Sequence, residues 1–270
     1  MVRRYSHYHI FHSPTEVFRR VRQFVATRAC RDGGYTFAKN APATLADTYF
    51  AIKTLNLLGY RRFSAIHARF VINEYYRARE RLTMENYFRV LWLLRLFGKK
   101  IPKLTLQRQI GRLEDDYWYA RCQDMVRGRI IMPRAFIVGI RHKNLQRFKY
   151  LPSAVKLVWF KQKFGSMKRS EFIEAIHFFQ SFQNGDGGFG LRQNTTSYLD
   201  WVYQGIVGLS SLQSYPADVR GCINFILGSQ VNNGGFGRNY ATVPSLENTY
   251  QAVACLKYIL NRTNYNSLFI

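Results

Sequence analysis

Cysteine is scarce in this 270-residue chain: Cys30, Cys122, Cys222 and Cys255 are the only four, far apart and without a C-x-x-C pair. That excludes a disulfide framework of the kind that small secreted domains build from dense cysteines. It also leaves zinc without a local ligand cluster. Long apolar runs are missing too, and none approaches the roughly 18 residues that a membrane span needs. The basic start, residues 1–7, is followed by no apolar stretch or small-residue cleavage site, so it does not read as a secretory leader. The expectation is a soluble, cytoplasmic protein. Strand patterns are confined to residues 130–132 and 135–138, and Pro133 between them argues against a sheet.

Acidic residues are the second deficit. Sixteen Asp and Glu face 40 Lys and Arg, for a formal net charge of +24. The excess is lopsided. From residue 181 onward the basic residues Arg192, Arg220, Arg238, Lys257 and Arg262 nearly balance Asp186, Asp200, Asp218 and Glu247. Such a field draws in polyanions: nucleic acid, an anionic membrane surface or phosphorylated small molecules. A solvated basic surface satisfies the same composition. The clusters Arg19-Arg20-Val21-Arg22, Arg61-Arg62 and Lys99-Lys100 are short, and no nucleic-acid motif accompanies them. Nucleic acid is therefore disfavoured, and peripheral contact with an anionic membrane stays open. His7, His9 and His12 read as part of a solvated basic arm rather than a metal site.

Apolar residues are plentiful at 47%, with 21 Phe and 18 Tyr, enough for a large core. Internal repetition organises them. Arg31-Asp32-Gly33-Gly34-Tyr35 is followed by Pro42-Ala43-Thr44-Leu45-Ala46-Asp47-Thr48-Tyr49. Gln183-Asn184-Gly185-Asp186-Gly187-Gly188-Phe189-Gly190 is followed by Tyr198-Leu199-Asp200-Trp201-Val202-Tyr203. Gln230-Val231-Asn232-Asn233-Gly234-Gly235-Phe236-Gly237 is followed by Pro244-Ser245-Leu246-Glu247-Asn248-Thr249-Tyr250. A copy without glycines starts at Leu82-Thr83-Met84-Glu85-Asn86-Tyr87-Phe88, and a fainter one at Leu151-Pro152-Ser153.

Each unit reads as an amphipathic helix, a glycine turn, a loop and a more apolar helix. Residues 171–182, apolar at Phe172, Ile176, Phe179 and Phe182, exemplify the first helix; residues 246–260 exemplify the second. Paired glycines allow positive φ and close approach, and the aromatic after them is expected to plug the joint between neighbouring units. Five to six helix pairs fit the length. The expected fold is an all-α, two-layered ring with amphipathic helices outside. Residues 1–28 read as a basic helical arm packed on a single domain, residues 29–265. The stretch from 103 to 150 reads as irregular helices.

The turns and the helix openings after them resemble the repeats of protein prenyltransferase β subunits, and of squalene and terpene cyclases. The resemblance is strong at residues 29–59 and 170–260. It implies an α/α toroid whose aromatic-lined funnel holds an isoprenoid diphosphate, and a helical partner subunit for the β-subunit branch. Arg192, Arg238 and Lys39, just after the glycine turns, are the expected diphosphate contacts. The inner-helix starts gather Asp47, Glu85, Asp200, Glu247 and Asn248, with Tyr49, Tyr87, Tyr203 and Tyr250 nearby and Trp201 beside Asp200. Asp47, Asp200, Glu247 and Tyr250 are the catalytic candidates and the others substrate contacts. First-turn capping explains any single member equally well. Asp47 and Asp200 are candidate magnesium contacts.

The departures concern chemistry. The zinc-dependent enzymes hold their metal with Asp-x-Cys and a later His; this chain has Asp200-Trp201-Val202 and Asn248. One ligand of three does not make a zinc site, so zinc is not expected. Class II cyclases use Asp-x-Asp-Asp, and Leu113-Glu114-Asp115-Asp116 lacks its first Asp. That acidic run is read as a helix surface balancing Arg112 and Arg121. A non-catalytic toroid that binds an isoprenoid lipid or a partner is the alternative to an enzyme.

Overall fold

The computed structural model describes residues 13–38, 40–100, 112–165 and 167–262. Lys39, His7, His9 and His12 lie outside the described residues. The helices are α1 (Pro14–Ala26), α2 (Leu45–Leu57), α3 (Ala65–Ala78) and α4 (Met84–Leu96). Then come α5 (Leu113–Arg127), α6 (Arg134–His142), α7 (Leu151–Lys163), α8 (Arg169–Gln180), α9 (Leu199–Ser211), α10 (Val219–Gly228) and α11 (Leu246–Arg262).

Six of them close a ring. α2 packs on α4, α4 on α5, α5 on α7, α7 on α9, α9 on α11, and α11 back on α2. Outside it α3 packs on α4, α6 on α7, α8 on α9 and α10 on α11, while α1 touches both α2 and α11. This is an α/α toroid, with six inner and five outer helices among the described residues.

The helix sequences explain the layers. α1 buries Val17, Val21, Phe24 and Val25, one stripe of an otherwise charged helix. α2 buries Leu45, Thr48, Tyr49, Phe50, Ala51, Ile52 and Thr54, most of its circumference. Hydroxyls start three of the inner helices, α2, α4 and α11: Thr44, Thr83 and Ser245 accept the backbone N–H of Asp47, Asn86 and Asn248. Each such cap contributes about 1 kcal/mol.

The glycine turns are the seams. Each is closed by the same isolated antiparallel bridge: Ala29 with Tyr35, Gln183 with Phe189 and Gln230 with Phe236. A Cβ on Gly187, at φ +82°, would lie 2.1 Å from the carbonyl carbon of Gly221 in α10. One on Gly234, at φ +91°, would lie 2.4 Å from the carbonyl oxygen of Arg20 in α1. Only glycine permits both the backbone angle and the approach. On the second glycine of each pair, Gly34, Gly188 and Gly235, sits a ring of the next outer helix: Phe70, Phe225 and Phe24. The third turn thus grips α1, and Arg20 Nη2 donates to the carbonyls of Val231 and Asn232 at 3.2 and 2.9 Å.

The turn aromatics do only part of the expected plugging. Tyr35 does stack on His67 of α3, at 5.8 Å between ring centroids. Phe189 instead lies against Gly205 of its own inner helix. The outer-helix phenylalanines fill the seams.

Residues 112–150 are more regular than the sequence suggests. α5 opens with Glu114, Asp115 and Asp116 in its first turn and ends on left-handed Gly128. Residues 135–138 lie inside α6, and residues 130–132 form no strand. Only the 3₁₀ helix Leu145–Arg147 is short and irregular.

Candidate functional site

Counting from the first residue of each inner helix shows what faces the lumen. Four residues in stand Tyr49, Phe88, Tyr117, Val155, Tyr203 and Tyr250; eight residues in stand Lys53, Trp92, Arg121, Trp159, Val207 and Ala254. Positions four apart share one helix face. The contacts agree. Lys53 Nζ lies 5.0 Å from the Tyr49 ring, 5.4 Å from Trp92 of α4 and 4.4 Å from Tyr250 of α11, and donates to the Tyr49 hydroxyl at 3.1 Å. Arg121 lies over Phe88 of α4, Tyr117 of its own helix and Trp159 of α7. Its Nη1 donates to the Tyr117 hydroxyl at 2.8 Å. Arg89 reaches the Tyr49 and Phe50 rings of α2.

Among the described residues, neither Lys53 nor Arg121 has a carboxylate within ion-pair distance; Arg89 is paired with Glu85 at 2.7 Å. Arg121, and Lys53 when protonated, thus place positive charge in the lumen that no carboxylate among the described residues pairs with. Burial, then Arg121 and Arg89, lower the pKa of Lys53 to about 7. Burial raises the pKa values of Tyr49, Tyr203 and Tyr250, so their hydroxyls stay protonated. Tyr203 and Tyr250 hydroxyls meet at 3.3 Å.

The rim above this layer holds the polar residues that the sequence singles out. Asp47 is absorbed by its own helix start, where Thr44 Oγ1 donates to Oδ2 at 2.8 Å. Glu85 holds Arg89. Asp200 has both oxygens engaged: Oδ2 accepts from Arg238 Nε at 2.8 Å, and Oδ1 from Asn248 Nδ2 at 3.3 Å. Glu247 opens to solvent at the rim, but the crowding of the ring mouth strips enough water from its carboxyl to raise its pKa; Arg89 opposes the rise, and Asp200, Glu85 and Asp47 add to it. Those carboxylates, from four inner helices, thus act on one another. Trp201 is half-buried beside them.

Other residues fall elsewhere. Tyr87 stands one residue out of the lumen series and turns to Tyr75 of α3, its buried hydroxyl without a hydrogen-bond partner among the described residues. Phe88 takes the lumen place. Arg192 stacks on Tyr150, 4.4 Å from the ring, and hydrogen-bonds its hydroxyl. Arg238 stacks on Tyr198 at 4.5 Å. Arg121 does not balance the acidic run: Glu114 is taken by Lys156 and by the Trp118 indole N–H.

The residues present do not fit the zinc site of the protein prenyltransferases. A hydrogen bond joins Asp200 to Asn248 where a metal would bridge two ligands, and Val202 is an apolar residue with no exposed surface. Burial raises the Cys255 thiol well above its usual pKa, so it offers no thiolate. Asp47 and Asp200 stand on α2 and α9, with α11 between them. Among the described residues no three His, Cys, Asp or Glu side chains converge as metal ligands.

An inner ring of six helices with outer helices clamped on glycine turns defines an α/α toroid. The prenyltransferase alpha-alpha toroid domain family matches residues 8–86 and 114–268, and the chain belongs to that family. Among solved structures it is similar to Candida albicans protein geranylgeranyltransferase-I complexed with GGPP, at 15% identity over 92% of each chain and a TM-score of 0.63. That identity speaks to the fold alone. No curated protein matches the sequence. Among the described residues no helix is long and apolar enough to cross a membrane.

Proposed function

We propose that this protein is a prenyltransferase-like toroid that binds an isoprenoid diphosphate in its lumen and does so without zinc. The observation that carries this reading is the aromatic layer contributed by α2, α4, α5, α9 and α11, with cations set among its rings. Aromatic faces pack along an isoprenoid chain and stabilise cationic carbon, while the cations suit a phosphate head. The geranylgeranyltransferase-I to which the chain is similar was solved with GGPP. In this reading Tyr49, Tyr203 and Tyr250 line the chain's path, and Asp47, Asp200, Glu247 and Asn248 form a polar rim where an acceptor would be oriented.

A carrier that binds without turnover is the second reading. The Asp200–Asn248 hydrogen bond favours it, because it occupies Asp200 with an amide, and Val202 and Asn248 offer no thiolate or imidazole to a metal that would activate a thiol. Native mass spectrometry with farnesyl and geranylgeranyl diphosphate, with metal analysis, tests the proposal. We expect a one-to-one complex and no stoichiometric zinc. No complex with either diphosphate would sink the ligand, and one zinc per chain would sink the zinc-free claim. Turnover assays with magnesium then separate enzyme from carrier.

A further inference from the structure

The lumen is not uniform around its circumference. Lys53, Arg89 and Arg121 come from α2, α4 and α5, three consecutive inner helices. At the level of Lys53 and Arg121, α11 and α9, which continue the ring beyond α2, present Ala254 and Val207, and one turn toward the rim Tyr250 and Tyr203. One arc is cationic, the other apolar and phenolic.

We infer that the cationic arc, Lys53 and Arg121 with Arg89 a turn above, is the seat of a phosphate or diphosphate group inside the ring, so that the ligand's anionic head lies deep and its apolar part runs along α9 and α11. The second clause rests on the proposed function; the anion seat does not. Lys53 and Arg121 are held by ring faces and phenol oxygens and by no carboxylate among the described residues. Ring faces stabilise cations but do not cancel two like charges confined to one lumen. An anion placed between them removes that repulsion. The rim is the poorer seat. Arg238 is already bound to Asp200, Arg192 lies exposed on Tyr150, and the carboxylates Glu85, Glu247 and Asp200 stand around the opening.

The seat predicts that the head group suffices. Inorganic diphosphate, titrated by calorimetry into the full chain at low salt, is expected to bind. Lys53→Met and Arg121→Met are each expected to weaken it at least tenfold, and Lys53→Arg to restore it. Exposed Arg62→Gln serves as a charge-matched control, expected to change affinity less than twofold. Circular dichroism melts establish that each variant folds, and the Lys53→Arg rescue keeps the result interpretable if Lys53→Met is altered. If inorganic diphosphate does not bind, or Lys53→Met and Arg121→Met bind it like the parent, the seat is wrong. Binding lost in Arg192→Gln or Arg238→Gln but not in Lys53→Met places the head at the rim and also overturns it. If farnesyl diphosphate binds no more tightly than inorganic diphosphate, the isoprenoid reading fails while the seat stands.

Discussion

The ring has two unlike halves. The units ending in α2, α9 and α11 carry the glycine turns, and their glycines and phenylalanines lock neighbouring units at van der Waals contact. Those ending in α4, α5 and α7 have no such turn, and they supply Arg89, Arg121 and Lys156 along with Trp92 and Trp159. Where the chain repeats itself it is making joints, which demand the same residue each time. Where the repeat decays the helices are freed to place charge in the lumen. Lys53, on α2, is the one member of the deep cationic arc supplied by the regular half.

Breaking a joint should have the largest effect. Gly187→Ala puts a Cβ 2.1 Å from the Gly221 backbone and strains a positive φ; we expect a loss on the order of 4 kcal/mol or failure to fold. Gly98, at φ +63° with nothing within 4 Å of an added Cβ, belongs to the unlocked half. Gly98→Ala should cost only about 1 kcal/mol. Similar denaturation midpoints for the two variants would erase the distinction between the halves.

Phe24→Ala comes next. Phe24 is 1% exposed and covers Gly235, so its removal should cost about 3–5 kcal/mol by chemical denaturation. A loss below 1 kcal/mol would mean that α1 is not a structural member of the ring.

Lys53→Met should act in the opposite direction. The unfolded chain keeps this lysine protonated to about pH 10.5, the folded one only to about pH 7. Between those values the unfolded state binds more protons, so stability rises with pH through that window. Below pH 7 both states are charged and the destabilisation is complete. The substitution should therefore stabilise by about 1–3 kcal/mol at pH 6, a figure discounted because Lys53 keeps some contact with water. The gain should shrink toward pH 9. The phenols of Tyr49, Tyr203 and Tyr250 stay neutral throughout, so they do not contribute to the trend. A gain independent of pH would place the effect in packing rather than charge.

Smallest is Thr44→Ala, which removes the α2 cap and the contact to Asp47, for about 1 kcal/mol. If it also abolishes ligand binding with stability unchanged, Asp47 is more than a capping residue.

The joints were legible in the sequence because a close backbone approach admits only glycine, and three copies of one solution stand out. The rim was legible for a related reason: α2, α4 and α11 begin alike, with a hydroxyl cap and a polar first turn, and α9 repeats the polar first turn with Asp200. The deep site was not. Lys53 interrupts an apolar helix and invites no reading until the helix start fixes which face it shares with Tyr49. In the fourth helix the repeat had drifted, so Tyr87 took the place of Phe88 in the alignment, and one residue of slip turns a side chain about 100°. In sequence Arg121 reads as a partner of the nearby acidic residues, whereas eight residues from the start of α5 it points to the lumen. α5 itself carried ordinary end signals, an acidic first turn and Gly128, but no glycine turn to draw attention to them.

The grip of the third glycine turn on α1 has a consequence for synthesis. Arg20 and Val231 are 211 residues apart, yet they are hydrogen-bonded neighbours. At about 5–20 residues per second, α1 emerges from the ribosome roughly 10–40 s before the turn that will cover Phe24. For that interval Val17, Val21, Phe24 and Val25 have only part of their final cover. The ring is thus a structure that the ribosome finishes late, and its first helix is the segment a nascent-chain chaperone would meet exposed.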